Sequence, residues 1–259
     1  MLNALEVLNA PRNERKSMVL TEAGLQNGTE LDGIGQAKVI SSVINEFVDD
    51  YFLLSIDRDK KRNDGSVLLE INQRAAFDQK IDEFTPVAIR ELRSAIPDRQ
   101  ELIRSSKNLY EMSGAVKLAF ANKATRSLST TMGLLWENLA GVSPHAINPE
   151  IEFDLKIKGI DLIAKNINSG VIEYQQLKTQ HNTLTGSQKG RSVSELEIHD
   201  NPVFCACFAN NSSWTFNHPD IPRVSGAEFW SRIGISYDIV TEKLQNLILA
   251  LEDEYVSLL

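Results

Sequence analysis

Apolar side chains recur every three or four positions through most of the first 150 residues. Residues 36–54 show this pattern clearly, with one stripe formed by Val39, Ile40, Val43, Ile44, Phe47 and Val48. The spacing is typical of a helix with one buried face. It also predicts a helical block over residues 78–121, broken at Pro86 and Pro97. A third helix is predicted to open after residues 127–130, whose hydroxyls can cap it, and to run to Gly141.

The period changes after Pro149, where apolar and polar residues begin to alternate. Alternation is the pattern of a strand with one buried face. It predicts strand over residues 151–167, a turn at residues 168–170 and a return strand over residues 171–179. The polar residues 180–192 that follow have no period, and we predict a loop there.

The remaining chain predicts one more strand and a helical end. Residues 203–208 (VFCACF) are almost wholly apolar, which is typical of a strand covered on both faces. Residues 226–259 predict one or two amphipathic helices. Helices, then strands, then helices again indicate an α/β or α+β fold with a helical N-terminal part.

The amino-acid composition and net charge argue against several classes of protein. The chain has 259 residues, 42% of them apolar, and a formal net charge of −8, which argues against a protein that coats nucleic acid by charge alone. There is no run of about 18 apolar residues and no signal-peptide order, so we expect a cytoplasmic protein without a membrane span. Cys205 and Cys207 lack two further ligands at zinc-site spacing, so we predict that they pack in the core.

Three polar side chains converge at the predicted hairpin. Gln176 and Lys178 lie two residues apart and share one face of a strand, and the turn brings Asp161 alongside them. A carboxylate can bind a hard cation such as Mg2+, and a lysine beside it can orient a water for phosphodiester hydrolysis. The alternative is a cross-strand ion pair on a solvated sheet, which contributes about 0.2–1 kcal/mol.

Two segments, GIDLI at residues 159–163 and YQQLKT at residues 174–179, resemble the core of the PD-(D/E)XK nucleases. This core occurs in type II restriction endonucleases and related repair nucleases. The polar run QLKTQHNTLTGSQ strengthens the likeness to the restriction enzymes. The resemblance implies a central mixed β-sheet flanked by helices, with residues 127–259 as the nuclease core and residues 1–126 as a helical region for DNA recognition or dimerisation.

The resemblance also implies roles for individual residues. Asp161 is the metal-binding aspartate, Lys178 is the catalytic lysine, and the main-chain carbonyl of Leu177 completes the coordination. The implied reaction is Mg2+-assisted hydrolysis of DNA that leaves 5'-phosphate and 3'-hydroxyl ends. The sequence has no P-loop, GxSxG or GxGxxG pattern that would indicate another chemistry.

Gln176 departs from the family pattern, which has Glu or Asp at this position. An amide ligates only through its oxygen and brings no negative charge. Glu137, on the helix before the sheet, is our candidate for a compensating acid. Glu173 is the alternative, although a regular strand turns it to the opposite face unless a bulge intervenes.

A positive surface for DNA is predicted locally, since residues 154–194 hold six basic and three acidic residues. Candidate contacts to phosphates or base edges lie upstream of the Glu137 helix and in the polar run after Lys178. They are Lys123, Arg126, Thr183, Thr185, Ser187, Gln188, Lys189 and Arg191. A surface loop without a ligand is the alternative for the polar run.

Together these features predict a type II restriction endonuclease that cuts double-stranded DNA with Mg2+. We expect a homodimer, because palindromic sites match a two-fold axis. One alternative is a structure-specific repair or recombination nuclease with the same core. The other, motivated by Gln176, is a DNA-binding protein that kept the fold and lost catalysis.

Overall fold

The computed structural model describes residues 2–26, 33–62, 70–96, 107–184, 186–210 and 212–258. Within these ranges we find no helix with both the length and the apolar character needed to span a bilayer. The strands are β1 (Ala146–Ile147), β2 (Leu162–Lys165), β3 (Ile172–Lys178), β4 (Pro202–Ala206) and β5 (Arg223–Ser225). The helices are α1 (Ala4–Asn9), α2 (Arg12–Glu22), α3 (Ile34–Asn45), α4 (Val48–Arg62), α5 (Glu70–Ser94), α6 (Leu109–Met112), α7 (Val116–Ala140), α8 (Pro149–Phe153), α9 (Gly186–Leu196), α10 (Ala227–Arg232) and α11 (Tyr237–Ser257).

The strands form one mixed sheet, which confirms the predicted α+β class. Neighbours follow the order β1-β2-β3-β4-β5. The β1–β2 and β2–β3 pairs are antiparallel, while the β3–β4 and β4–β5 pairs are parallel. The predicted hairpin is therefore present as β2 and β3, and the chain crosses over to reach each of the last two strands.

The chain divides into two compact units. Unit 1 comprises Met1–Gln73 and Trp136–Tyr237, and unit 2 comprises Arg74–Leu135 and Asp238–Leu259. The predicted boundary between residues 126 and 127 differs from this division, because it falls inside α7. The first four helices belong with the sheet because their apolar faces share its core.

The core of unit 1 lies on the sheet face that carries Ile163, Tyr174 and Phe204. These side chains pack in one cluster with buried residues of α1 to α4, including Tyr51 and Phe52. On this face Tyr174 donates its hydroxyl proton to the Ser41 carbonyl, with an O···O distance of 2.9 Å. The helices therefore cover the sheet beside the strand ends where the candidate site lies.

Unit 2 is helical and has a smaller core. Leu92, Ala95, Phe120 and Ala124 are buried together, and the rings of Phe120 and Tyr255 stack 4.9 Å apart. Ion pairs between α5 and α11 join Arg74 to Glu242, Lys243 to Asp78 and Arg93 to Glu254.

The strand prediction over residues 151–167 is wrong for most of its length. Residues Pro149–Phe153 form α8 because Asn148 caps its first free amides and the proline stands at its start. Asp154, in a left-handed conformation, ends the helix. The apparent alternation continues because Leu155, Ile157 and Ile160 point into the core from an irregular segment.

The predicted helix limits also differ from the structure. The hydroxyls near residue 130 do not cap a new helix, because Ser129, Thr130 and Thr131 donate to carbonyls four residues back within α7. Pro86 lies inside the continuous helix α5, and Pro97 lies outside the described residues. The stripe over residues 36–54 is divided between α3 and α4.

The later elements agree better with the sequence. Strands β3 and β4 and the two C-terminal helices match their predicted ranges. Cys205 and Cys207 are free and fully buried, as predicted for core residues. The residues predicted as a loop after Lys178 instead include α9, whose buried face carries Ser192, Glu195 and Leu196.

Candidate active site

Asp161 lies at the start of β2, one residue before the register pair Leu162–Gln175. Its main-chain N–H donates to the Gln175 carbonyl at 2.9 Å. Its Oδ2 accepts the N–H of Leu177 at 2.7 Å. The hairpin therefore fixes this carboxylate against the end of β3, as the sequence spacing predicts.

Lys178 ends β3 beside this carboxylate. Its Nζ donates to the carbonyl of Leu177 at 2.9 Å. Burial raises the pKa of Asp161, while the charge of Lys178 and the Leu177 N–H oppose that rise. The carboxylate is thus held in a partly desolvated position with a cation nearby.

Gln176 lies between these groups in sequence and shares a face of β3 with Lys178. Its side chain is 5% exposed, and its Oε1 has no hydrogen-bond partner in the part of the chain that the structure describes. An unpaired buried polar atom costs about 1–3 kcal/mol, so it requires an explanation such as a water or an ion. The oxygen is free to act as a ligand.

Glu137 approaches from the C-terminal end of α7. Asn148 Nδ2 donates to its Oε2 at 2.8 Å. Burial and the charge of Asp161 raise the pKa of Glu137 to about 7, although the Asn148 amide lowers it. The electrostatic coupling between the two acids places Glu137 in the site.

A hydrogen bond next to the site joins α7 to the end of β3. Trp136 is 3% exposed, and its Nε1–H donates to the Thr179 hydroxyl at 3.2 Å. These residues immediately precede Glu137 and follow Lys178 in the sequence. The bond fixes the helix end that carries the acid against the strand end that carries the lysine.

Glu173 takes no part in this site. The β2–β3 register is regular, without a bulge, so Glu173 lies on the opposite face, as expected for a regular strand. Its carboxylate accepts bonds from Arg232 at 2.6 Å, Asn166 at 2.8 Å and Gln175 at 2.9 Å. This acid is engaged by three donors within the fold, which leaves Glu137 as the candidate for a compensating acid.

Glu195 is a further acid that the sequence reasoning missed. It lies on α9 with 6% of its side chain exposed, and its charge raises the pKa of Asp161. Its Cβ approaches Gly159 so closely that a Cβ added at that glycine would lie 2.4 Å away. The spacing of Ser192, Glu195 and Leu196 along one helical face is the sequence signal that could have found it.

The oxygens at this site match a hard cation better than a transition metal. Asp161 and Glu137 offer carboxylates, Gln176 an unpartnered amide oxygen, and Leu177 a carbonyl, and Mg2+ prefers such ligands. Among the described residues, no group of three or more His, Cys, Asp or Glu side chains forms a ready ion site. A hard cation at this site would therefore need the amide and carbonyl oxygens as ligands beside the two carboxylates, with waters completing its shell.

The predicted DNA contacts are placed in three groups. Ser187, Gln188, Lys189 and Arg191 lie on α9 rather than in a loop, because residues 186–196 are helical. Thr183 is exposed and donates its hydroxyl proton to the Gln180 carbonyl at 3.0 Å, and Thr185 lies outside the described residues. Lys123 and Arg126 are exposed on the part of α7 that belongs to unit 2.

Comparison with known proteins gives no match to a family model, a curated protein or a solved structure.

Proposed function

We propose that this protein is a Mg2+-dependent endonuclease of the type II restriction kind, acting on double-stranded DNA. One arrangement carries the proposal. The Asp161 carboxylate interacts electrostatically with Lys178 and Glu137 at the ends of two paired strands, and Gln176, whose Oε1 has no partner among the described residues, shares a face of β3 with Lys178. Carboxylates at a strand end beside a lysine suit hydrolysis of a phosphodiester bond.

Each side chain has a defined task in this proposal. Asp161, Gln176 and Glu137 would hold Mg2+ through oxygen, and the bound cation would supply positive charge to the scissile phosphate and polarise a water. Lys178 would orient that water and a phosphate oxygen. In-line attack by the water forms a new phosphorus–oxygen bond as the bond from phosphorus to the 3' oxygen breaks, and the 3' oxygen takes a proton from solvent, which leaves a 5'-phosphate and a 3'-hydroxyl.

Glu137 has a further chemical property that supports this reading. With a pKa of about 7, its carboxyl exchanges a proton readily at neutral pH. A cation at the site favours the ionised form, because Mg2+ and the proton compete for the same oxygen. Cleavage should therefore need less Mg2+ as the pH rises.

Helix α9 offers a surface for the DNA strand. Ser187, Gln188 and Arg191 are exposed on it, and the same helix carries Glu195 into the site. Hydroxyl, amide and guanidinium groups contact phosphates and base edges. A second copy of the chain would place a matching set on the other half of a palindromic site.

The main alternative is a DNA-binding protein on the same fold without catalysis. It is favoured by the neutral amide at Gln176 and by the lack of a three-acid group among the described residues. It predicts DNA binding that does not lead to cleavage in Mg2+. A structure-specific repair or recombination nuclease is the alternative that keeps the chemistry.

The test is incubation of the purified protein with unmethylated phage DNA, with and without Mg2+, beside Asp161→Ala and Lys178→Ala. We expect discrete fragments that need Mg2+ and are absent with both variants, and sequencing their ends gives the site. Cleavage of branched DNA alone would indicate the repair nuclease. DNA binding without cleavage in any divalent cation would overturn the proposal in favour of the inactive protein.

A further inference from the structure

We propose that Asn148 is the positioning residue of the site, because its amide holds the Glu137 carboxylate in place for the cation. The proposal rests on the proposed function, since it concerns the same acid. Asn148 is 8% exposed, and its Nδ2 donates to Glu137 Oε2 at 2.8 Å.

The oxygen and the nitrogen of the Asn148 side-chain amide have different hydrogen-bond partners. Its Oδ1 accepts the N–H groups of Glu150 at 2.9 Å and Ile151 at 3.2 Å, which caps α8. The cap fixes the side-chain torsions, so the Nδ2 end can point only where the helix start directs it. The bond to Glu137 is therefore made by a group that is already oriented.

Helix α8 is itself held firmly by the N-terminal helices. Glu152 on α8 accepts hydrogen bonds from Arg15 on α2 and from the Tyr51 hydroxyl on α4. Asp154, which ends α8, pairs with Arg12 and Lys16 at 3.2 Å each. These contacts hold α8 in position, so Asn148 donates to the Glu137 carboxylate from a fixed place.

The functional need for such a residue follows from the charges. Glu137 faces the like charge of Asp161, which pushes the two carboxylates apart when no cation lies between them. The Asn148 amide, which donates to Glu137 Oε2, opposes this movement. Loss of an outer partner of a metal ligand typically weakens metal binding by about 10–100-fold.

The test uses substitutions that separate the two ends of Asn148. Asn148→Ser keeps a good helix cap and loses the donor to Glu137, and Asn148→Ala loses both. Asn3 provides the matched control, because its Oδ1 caps α1 in the same way through Leu5 and Glu6. Binding of Mn2+ to the protein without DNA is measured by titration, beside the thermal midpoint and the Mg2+ requirement for cleavage.

We expect Asn148→Ser to bind Mn2+ about 10–100-fold more weakly than the wild type at a similar thermal midpoint. Asn3→Ser should bind Mn2+ as the wild type does. In a Glu137→Gln background, Asn148→Ser should add little further loss, because the residue acts through that acid.

Wild-type Mn2+ affinity in Asn148→Ser would overturn the inference and leave the proposed function intact. Equal losses of Mn2+ affinity in Asn148→Ser and Asn3→Ser would also overturn it, since an effect common to Asn→Ser changes at helix caps, and not the bond to Glu137, would then be the cause. Absence of both Mn2+ binding and cleavage in the wild-type protein would overturn the proposed function and this inference with it.

Discussion

Each face of strand β3 has an acid beside it, and the two acids are held in different ways, although an amide oxygen without a partner among the described residues lies on both faces, at Gln175 and at Gln176. On one face, Glu173 is held by Arg232 and by two amide side chains. On the other face, the Gln176 oxygen has no partner among the described residues, and burial raises the pKa of Asp161. An acid saturated with donors stabilises the fold, whereas an acid held at a cost to stability marks a candidate site.

Conversion of each acid to its amide should give the largest difference between the two faces of β3. Asp161→Asn should lower cleavage by about 100-fold or more while the thermal midpoint stays level or rises, because a buried charge is removed. Glu173→Gln should keep cleavage and lose about 1.5–3 kcal/mol of unfolding free energy through its weakened bonds to Arg232. Cleavage assays and denaturant unfolding measure the two effects.

The opposite assignment would show in the same pair of variants. If Glu173→Gln were folded and inactive while Asp161→Asn stayed active, the active site would lie on the face of β3 that carries Glu173. Asp161→Asn keeps an oxygen that can accept the Leu177 N–H, so its loss of activity cannot be assigned to a missing backbone contact.

The contact between Gly159 and Glu195 tests whether α9 belongs to the site face. Gly159 has a φ of +79°, and an added Cβ would lie 2.4 Å from the Glu195 Cβ. Gly170 is the matched control, with a φ of +74° and no atom within 4 Å of an added Cβ. Gly170→Ala should cost about 1–2 kcal/mol of unfolding free energy from backbone strain alone.

Gly159→Ala should lose clearly more stability than this control, and its cleavage should also fall, because the substitution displaces an acid beside Asp161. If Gly159→Ala and Gly170→Ala lost the same unfolding free energy and both still cleaved DNA, Glu195 would not belong to the site.

The raised pKa of Glu137 predicts how stability depends on pH without divalent cations. An acid with a folded pKa of about 7, above its ordinary value of 4.5, binds a proton more tightly in the folded state. Its contribution to stability is therefore full at low pH and is lost as the pH rises from about 4.5 to about 7. Glu137→Gln should remove this fall, as measured by the thermal midpoint at each pH.

Magnesium should oppose this fall of stability with pH in the wild-type protein. Because Mg2+ binds the ionised carboxylate, it should raise the thermal midpoint more at pH 8 than at pH 5.5. An equal rise at both values, or the same pH dependence in Glu137→Gln, would contradict the placement of Glu137 beside Asp161.

The smallest expected effect is that of Arg191, which lies 72% exposed on α9 and pairs with Glu195 at 2.7 Å. Arg191→Ala should leave stability within about 0.5 kcal/mol of the wild type, because the pair is exposed on one side. It should lower the slope of log affinity against log salt by about 1 if the arginine contacts a DNA phosphate. Arg93→Ala, an exposed arginine paired with Glu254 in unit 2, is the control.

The elements with a regular sequence period could be predicted, and those defined by caps or by tertiary contacts could not. The β2–β3 hairpin and β4 follow from apolar patterning, which also placed Asp161 opposite Gln176. Helix α8 was not predicted, because core-facing residues of the irregular segment that follows it alternate with polar ones as in a strand. The sequence signal for the helix is Asn148, which caps its start. Glu195 was missed because the polar residues before it mask the helical face that it shares with Leu196.

Sequence spacing could not predict which residues contact Glu137 and Glu173. Glu137 and Glu173 are both glutamates near the hairpin, and the regular register of β3 decides between them. Asn148 reaches Glu137 from eleven positions along the chain, through a turn that no local pattern describes. Contacts of this kind depend on how the elements pack.

The central claim is that the residues at the end of β3 form the active site of a Mg2+-dependent nuclease, and that a lysine at the end of another strand does not contribute to cleavage. The most direct measurement compares two lysines that end neighbouring strands, Lys178 of β3 and Lys165 of β2, where Lys165 pairs with Asp49 at 2.6 Å. Each is changed to alanine, and Mg2+-dependent cutting of unmethylated phage DNA is followed. We predict discrete fragments from the wild type and Lys165→Ala and none from Lys178→Ala; equal cutting by both variants, or none by the wild type, would contradict the account.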